Sequence, residues 1–443
     1  VLLSIRTPVT LPRDPVGWYD YLPRIFHKHH GEQRMPEQSP TIVHDVPVNV
    51  AQQPDPYPLF ERIREHGAVQ RVRLNPTLEV WMVTGYDEAV SALTDPRLSS
   101  SPVGVRGLED EMAEQQRTNI LMSSMVIADG DTHVRLRNLV SKAFTARRVE
   151  ALAPRVQEHT DAFLDAFAGR GSADLVEEFA LPLPMAVLSD LIGIPTEGQP
   201  DFAKLAVGLI MPPNTPERLA KGARARAALV EFFQPLIERR KAEPRDDLLS
   251  ALCAAQAEAR ISDRELTAMT ILLTLAGHET VASLIANGVH ALLRHPDQLA
   301  ALRADPDLLP GAIEELLRYE GPVSRGVARF TVEDFEIAGV TIPAGEMIIV
   351  GLAAANRDPA RFDRPDILDV ARREMPQQLA FGHGAHFCLG APLARMEARI
   401  AIGTLLRRFP DLTLTTPDET LSRREGILRG MATLPVTFTP HGR

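Results

Sequence analysis

The sequence predicts a mainly α protein with small β-sheets, organised around one long central helix. Three observations carry that expectation. Apolar residues recur at helical spacing over most of the chain from Tyr57 onward, with only a few short β-like runs. A mostly apolar run from Leu266 to Leu293 opens after the S-x-x-E capping box Ser262-Asp-Arg-Glu265 and stops at His295-Pro296. A glycine-rich loop, Phe381-Gly-His-Gly-Ala-His-Phe-Cys-Leu-Gly390, leads straight into a helical pattern that begins Ala391-Pro392.

Taken in order, Leu59 to His66 reads as a helix, Glu79 to Val83 as a strand and Asp87 to Leu93 as a helix. Ser99 to Met122 has weak periodicity and reads as a long loop, a length that suggests function. Arg147 to Phe167, Ala180 to Leu191 and Leu219 to Lys241 follow as helices. The run from Leu266 spans roughly 45 Å at the helical rise, enough to cross a domain. Its apolar surface is too broad for a solvent-facing helix, so it belongs in the core. Thr267, Thr270, Thr274, His278, Glu279, Thr280 and Asn287 interrupt it, which argues against a membrane span. Strands are expected around Phe330–Ile337 and Met347–Val350, then a last helix from Pro392 to Phe409 and β-like segments to the end.

Composition narrows the class. Hydrophobic residues are 44% of the 443, ample for a core, and aromatics only 5%, so that core should be aliphatic. The formal charge of −10 argues against a nucleic-acid partner. Two cysteines, Cys253 and Cys388, cannot make a disulfide framework, which suits a reducing, cytoplasmic compartment. Cys253 sits on an apolar helical face and reads as packing. Residues 1–54 are proline-rich, carry the cluster His27-Lys-His-His30, and contain no run of signal or anchor length. They are read as an extension, disordered or a leader, with Met35 as a plausible natural start; the folded domain is placed at 55–443.

Cys388 carries the functional argument. Gly382 and Gly384 allow backbone angles closed to other residues, and Gly390 lets the chain turn tightly beside a flat group. A cysteine just ahead of a helix N-terminus is favoured as a thiolate, and a thiolate can bind haem iron and favour O–O cleavage. Phe381 can shield the sulfur, and His386 can donate to an anionic group. On the long helix, Ala276-Gly-His-Glu-Thr280 puts a glycine where it costs about 1 kcal/mol relative to alanine. Small residues there make room for a ligand, a threonine can hydrogen-bond bound oxygen or water, and a carboxylate can relay protons.

The ten-residue loop resembles the haem-binding signature of the cytochrome P-450 family at every defining position. Ala276-Gly-His-Glu-Thr280 resembles that family's oxygen-activation motif, with Glu279 and Thr280 as its acid–alcohol pair. Glu315-Leu-Leu-Arg318 resembles its structural E-x-x-R. In the segment where the family often adds a second arginine the chain reads Pro365-Asp-Ile-Leu-Asp369, with Ile367 in the arginine slot; Arg361, Arg372 or a backbone group could substitute. The resemblance covers about residues 55–440 and is nearest the soluble bacterial members that tailor secondary metabolites, macrolide hydroxylases included. One site served by motifs from His133 to Cys388 implies a single large domain of the cytochrome P-450 fold.

By that resemblance the cofactor is heme b with Cys388 as axial ligand to iron. His133, Arg137, Arg329 and His386 hold its carboxylates, and Phe381, Gly382, Gly390, Ala276 and Gly277 frame it. The 100–125 loop, Leu272, Leu275, Ala276, Gly326, Val327, Ile427 and Leu428 line the substrate pocket. The implied activity is a monooxygenase that uses O2 to hydroxylate or epoxidise a sizeable lipophilic molecule. The chain carries no flavin or nicotinamide fingerprint, so electrons come from a ferredoxin and its NAD(P)H-linked reductase. Arg137, Arg395 and Arg399 are the expected dock, and the enzyme is expected to be monomeric and off the membrane. A peroxide-driven or coupling enzyme is the rival within haem-thiolate chemistry, and a haem sensor or carrier the rival outside it.

Overall fold

Ser262 caps the helix that organises the molecule. The Glu265 N–H donates to its hydroxyl at 3.2 Å, and its own N–H donates back to the Glu265 carboxylate at 2.8 Å. This helix, α8 in chain order, runs Asp263–Arg294 over 32 residues and ends at His295, with Pro296 opening the next helix. Most of its side chains are buried. Among the described residues it is the one helix long and apolar enough to cross a membrane, and protein covers most of that apolar stretch. The computed structural model describes residues 43–440 apart from 48–49, 76–77, 103–118, 196, 198, 203, 206–215, 374–375, 418–419 and 425–427.

Other helices wrap α8: α3 (Gly130–Ser141), α4 (Ala146–Ala168), α5 (Pro182–Ile192), α6 (Pro216–Ala242), α7 (Leu248–Ala257), α10 (Leu309–Glu320) and α12 (Ala391–Arg408). The expected boundaries hold within a few residues. A π-helical turn, Val176–Ala180, precedes α5, so that helix starts at Pro182 and not at Ala180. Leu284, Ile285, Val289 and Leu292 of α8 join Leu316, Ile402 and Leu405 in one aliphatic core. Leu266, Met269 and Ile271 join Leu229, Phe233, Leu249 and Cys253 in another. Cys253 is buried there as expected, with Sγ 3.8 Å from the Ile237 carbonyl.

Strands form a lobe beside the helices. The largest sheet has the order β1 (Val43–Asp45), β2 (Val69–Asn75), β3 (Leu78–Val83), β9 (Met347–Val350), β6 (Arg329–Thr331), β4 (Leu98–Ser99). Helix α1 (Tyr57–Glu65) buries Phe60 and Ile63 in its core, and α2 (Tyr86–Thr94) packs on Trp81 and Val350. The expected strand Phe330–Ile337 is two strands in two sheets. Its first part is β6, and Phe335–Ile337 (β7) folds back on β8 (Val340–Ile342) through Ala338 and Gly339, both at positive φ. β5 (Ser172–Asp174), β10 (Thr413–Leu414) and β11 (Pro435–Thr437) form a small antiparallel sheet.

Two departures matter. The boundary expected at residue 55 falls inside the fold: β1 pairs in parallel with β2, and Val46, Val50 and Ala51 are fully buried. Arg429, from the far end of the chain, donates to the carbonyls of Ala51 (3.2 Å), Gln53 (2.7 Å) and Pro54 (2.8 Å). The His27–His30 cluster and Met35 lie outside the described residues. The second concerns Ile367, which is half exposed. Arg372 supplies the missing arginine, donating to Glu315 at 3.1 Å and to the Ile367 carbonyl at 2.9 Å. Arg318 chelates the same carboxylate at 2.7 and 2.8 Å and also reaches the carbonyls of Asn356, Pro365 and Ile367. Of the substitutes expected at the Ile367 slot, two act together on Glu315: the Arg372 side chain and a main-chain N–H, that of Asp369, which donates at 3.0 Å.

Candidate functional site

The cysteine loop is built by backbone geometry. Gly382 and Gly384 adopt φ of +71° and +72°. At Gly384 a Cβ would also sit 2.8 Å from the Leu93 carbonyl, so the loop presses on the end of α2. The Cys388 N–H donates to the Phe381 carbonyl at 2.9 Å, closing the loop. Gly390 caps α12 at φ −80°, a conformation open to any residue, and a Cβ there would lie 4.0 Å from the Cys388 sulfur. The tight turn expected at Gly390 is present, with the Ala391 N–H 3.4 Å from the Cys388 carbonyl, but its backbone angles do not require glycine; the residue's smallness leaves space beside the sulfur. Burial pushes the Cys388 thiol up, against the pull of the Gly390 N–H, Arg137, the Ala391 N–H and Arg395. The thiolate expected from the helix start therefore needs a further positive partner.

Polar groups gather at one edge. The His133 and His386 rings lie 4.2 Å apart. Burial, His386 and Arg137 push His133 down to about 4. His386 Nε2 lies 3.0 Å from the Ser100 hydroxyl and 3.4 Å from Asp129. Arg137 donates to the Phe387 carbonyl at 2.8 Å. Arg329 is buried, and its Nη1 has no hydrogen-bond partner. A buried guanidinium N–H left open on a cavity wall calls for an anion. Asp129 escaped the sequence reading, which had no local pattern to flag it; Ser100, the first residue of the expected 100–125 pocket loop, meets His386 instead.

One cavity of about 350 Å³ joins these groups to α8. Cys388, His386, His133, Arg137, Arg329, Phe381, Gly382 and Gly390 line it, as do Ala276, Gly277, Thr280, Leu272, Gly326 and Val327. The Thr280 hydroxyl donates to the Ala276 carbonyl at 2.7 Å. Gly277 has a second reason to be small: a Cβ would meet Leu188 of α5 at 2.9 Å. Missed wall residues include Pro322, Val323, Leu352 and Glu397.

Several expected residues stand elsewhere. Leu275 is buried among α5, α6 and α7 and does not line the cavity, because its side of α8 faces those helices. Leu428 acts at one remove, bridging Val323. Ile427 and residues 103–118 of the expected pocket loop lie outside the described residues. Glu279 does not line the cavity either; its carboxylate faces Arg424 at 3.6 Å, and burial raises it to about 7 against that charge. In the expected basic dock, Arg395 is chelated by Glu314 at 2.5 and 2.9 Å and stacks over Phe381. Arg137 turns inward, and Arg399 is exposed.

A cysteine on a glycine-built loop, imidazoles, an open guanidinium and an apolar cavity wall fit a haem-thiolate protein. A family model of cytochrome P450 matches residues 49–437. Over 384 residues the chain is 46% identical to cytochrome P450 107B1 of Saccharopolyspora erythraea, covering 85% of this chain and 93% of that protein. It is 45% identical to the cytochrome P450 monooxygenase PikC of Streptomyces venezuelae, covering 87% and 91%. The solved structure of the tirandamycin C-bound P450 monooxygenase TamI superposes with a TM-score of 0.81 at 39% identity, covering 89% and 100%.

The chain belongs to the cytochrome P450 family. It is a monooxygenase whose cofactor is haem with a cysteine thiolate as axial ligand, and it works on O2, a lipophilic substrate and electrons from a redox partner.

Proposed function

We propose that the enzyme hydroxylates or epoxidises a sizeable lipophilic secondary metabolite of macrolide or polyketide type. The observation that carries this reading is the wall joining Cys388 to Thr280, which is apolar across Leu272, Leu284, Val323, Val327 and Leu352. Two named relatives point the same way: the 6-deoxyerythronolide B hydroxylase of Saccharopolyspora erythraea, 42% identical over 391 residues, and the polyketide biosynthesis cytochrome P450 PksS of Bacillus subtilis, 35% identical over 392.

In this reading Cys388 is the axial ligand, the cysteine of the chain that lines the cavity. Arg329, Arg137, His133 and His386 hold the haem carboxylates; the open Nη1 of Arg329 supports that role. Phe381 and Gly382 frame the sulfur side, and Ala276 and Gly277 the opposite face. When bound, the haem supplies oxygen activation. Thr280 holds water or oxygen by its hydroxyl, and Glu279 exchanges protons between that hydroxyl and solvent. A group with pKa near 7 suits that exchange. The protein works as a cytoplasmic monomer with a ferredoxin and its reductase. Arg399 is the dock, a local charge that acts within the ~8 Å Debye length despite the net negative chain.

The test is a screen of the holoenzyme against a metabolite panel for the spectral change caused by displacing water from iron. Macrolide and polyketide ring compounds are expected to give it and to be oxidised with a ferredoxin system. A response confined to unrelated small polar compounds would sink the substrate reading. Turnover with peroxide alone, unaffected by Thr280→Ala, would favour the peroxide-driven rival.

A further inference from the structure

Three residues of α8 form one stripe on the side away from the cavity. Glu279, Ser283 and Asn287 follow each other at i, i+4 and i+8. Each meets the same C-terminal segment. Arg424 faces Glu279 at 3.6 Å. Gly430 lies against Ser283, where an added Cβ would come within 2.4 Å of the hydroxyl oxygen. Asn287 donates to the Arg429 carbonyl at 2.7 Å and accepts from Arg423 at 3.1 Å.

The segment is firmly anchored around Arg424. Its own N–H donates to the Gly430 carbonyl at 2.8 Å, and Arg423 bridges Met431. Arg423 and Arg429 both donate to the buried Glu320 carboxylate at 2.6 Å. Of the adjacent arginines, Arg423 is thus locked inward. Arg424 is left to face Glu279 with its side chain 21% exposed. The 3.6 Å contact is an ion pair too long for a hydrogen bond, and Glu279 Oε1 has no hydrogen-bond partner. Such a carboxylate is attracted but not tied. Thr280, the next residue, lines the cavity on the other side.

We propose that Arg424 is a positioning residue for proton delivery: it draws the Glu279 carboxylate toward the C-terminal segment and forms the solvent end of the path to Thr280. This rests on the reading of Glu279 and Thr280 as the proton relay. The other charged group that bears on Glu279 is Asp201, which pairs with Lys204; the adjacent His278 turns its Nε2 to the Leu181 carbonyl at 3.0 Å. Asp201 opposes Arg424, and His278 is buried and directed elsewhere. Arg424 is then the cation that sets the charge of Glu279.

The test compares wild-type holoenzyme with Arg424→Gln, Arg424→Lys and Glu279→Gln. Each must keep the red-shifted carbon monoxide band; Arg424→Met replaces the glutamine variant if that does not fold. The first readout is an infrared pH titration of the Glu279 carboxyl, identified by its loss in Glu279→Gln. Removing the guanidinium should raise the midpoint by about one pH unit or more, the size expected for an opposite charge at this range. Lysine should restore most of it. The second readout is the pH profile of substrate-free NADPH oxidation through a plant-type ferredoxin and its reductase, whose alkaline limb should move with the midpoint. An unmoved midpoint in Arg424→Gln overturns the proposal. A moved midpoint with Glu279→Gln keeping the wild-type profile upholds the pairing and overturns only the relay.

Discussion

Glu315 on α10 and Glu279 on α8 are both buried carboxylates, and the fold treats them in opposite ways. Glu315 receives four donors: two from Arg318, one from Arg372 and the Asp369 N–H at 3.0 Å. Glu279 has one guanidinium at 3.6 Å, and burial holds its pKa near 7. A saturated carboxylate is a fixed strut, since every lone pair is committed. A carboxylate left half satisfied can take up and release a proton near neutral pH. The lesson is that burial alone does not separate structure from chemistry; the count and distance of donors does.

The largest effect should come from breaking the strut. Arg318→Ala leaves Glu315 short of two donors and strips the Arg318 donor from the carbonyls of Asn356 and Pro365, while the Ile367 carbonyl keeps only Arg372. Removing one partner of such a buried pair costs about 3–5 kcal/mol. Urea unfolding should show that loss, and haem uptake on expression should fall with it. An unchanged unfolding midpoint would erase the distinction drawn above.

Next comes Glu279→Gln, whose effect should depend on pH. The folded pKa, about 7, lies above the ordinary value of 4.5, so folding favours the protonated form. That contribution is fully present below 4.5 and is lost as pH rises to 7. Wild type should therefore lose about 3 kcal/mol against the variant across that window, from 1.36 kcal/mol per unit. Denaturant unfolding of both proteins over a pH series measures it. Parallel stability curves would mean that Glu279 is not held as described.

Much of this was legible in the sequence because the signals were local. The capping box at Ser262, the Glu315–Arg318 spacing and the cysteine loop each announce themselves within ten residues. What the sequence hid was long-range. Arg372 could be named as a candidate for the Ile367 slot, but only the folded chain brings it to Glu315. Arg424 gave no sign of meeting Glu279, nor Arg429 of tying down residues 51–54. The family resemblance places Leu275 in the pocket beside Ala276, but one residue along a helix turns the side chain by about 100°, and Leu275 packs among α5, α6 and α7. Strand β2 did carry a missed signal, with buried Val72 and Leu74 alternating with the less buried Arg71 and Arg73.

The smallest effects separate two glycines of one loop and show how firmly the cysteine side is specified. Gly384→Ala must hold φ at +72° and place its Cβ 2.8 Å from the Leu93 carbonyl and 3.0 Å from Thr94. Backbone cannot give way as a flexible side chain would, so a cost of about 2 kcal/mol is expected. Gly390→Ala meets neither obstacle: φ is −80°, and the nearest atom is the Cys388 sulfur at 4.0 Å. Restricting the unfolded chain should make it neutral or more stable by about 0.5 kcal/mol. Thermal unfolding separates the two, and the carbon monoxide spectrum reports whether the new methyl disturbs the sulfur. A stable Gly390→Ala protein with a shifted band would mean that Gly390 is required by the iron–sulfur bond and not by the fold. Equal losses of stability at both positions would mean that the loop tolerates no side chain anywhere, whatever its backbone angles.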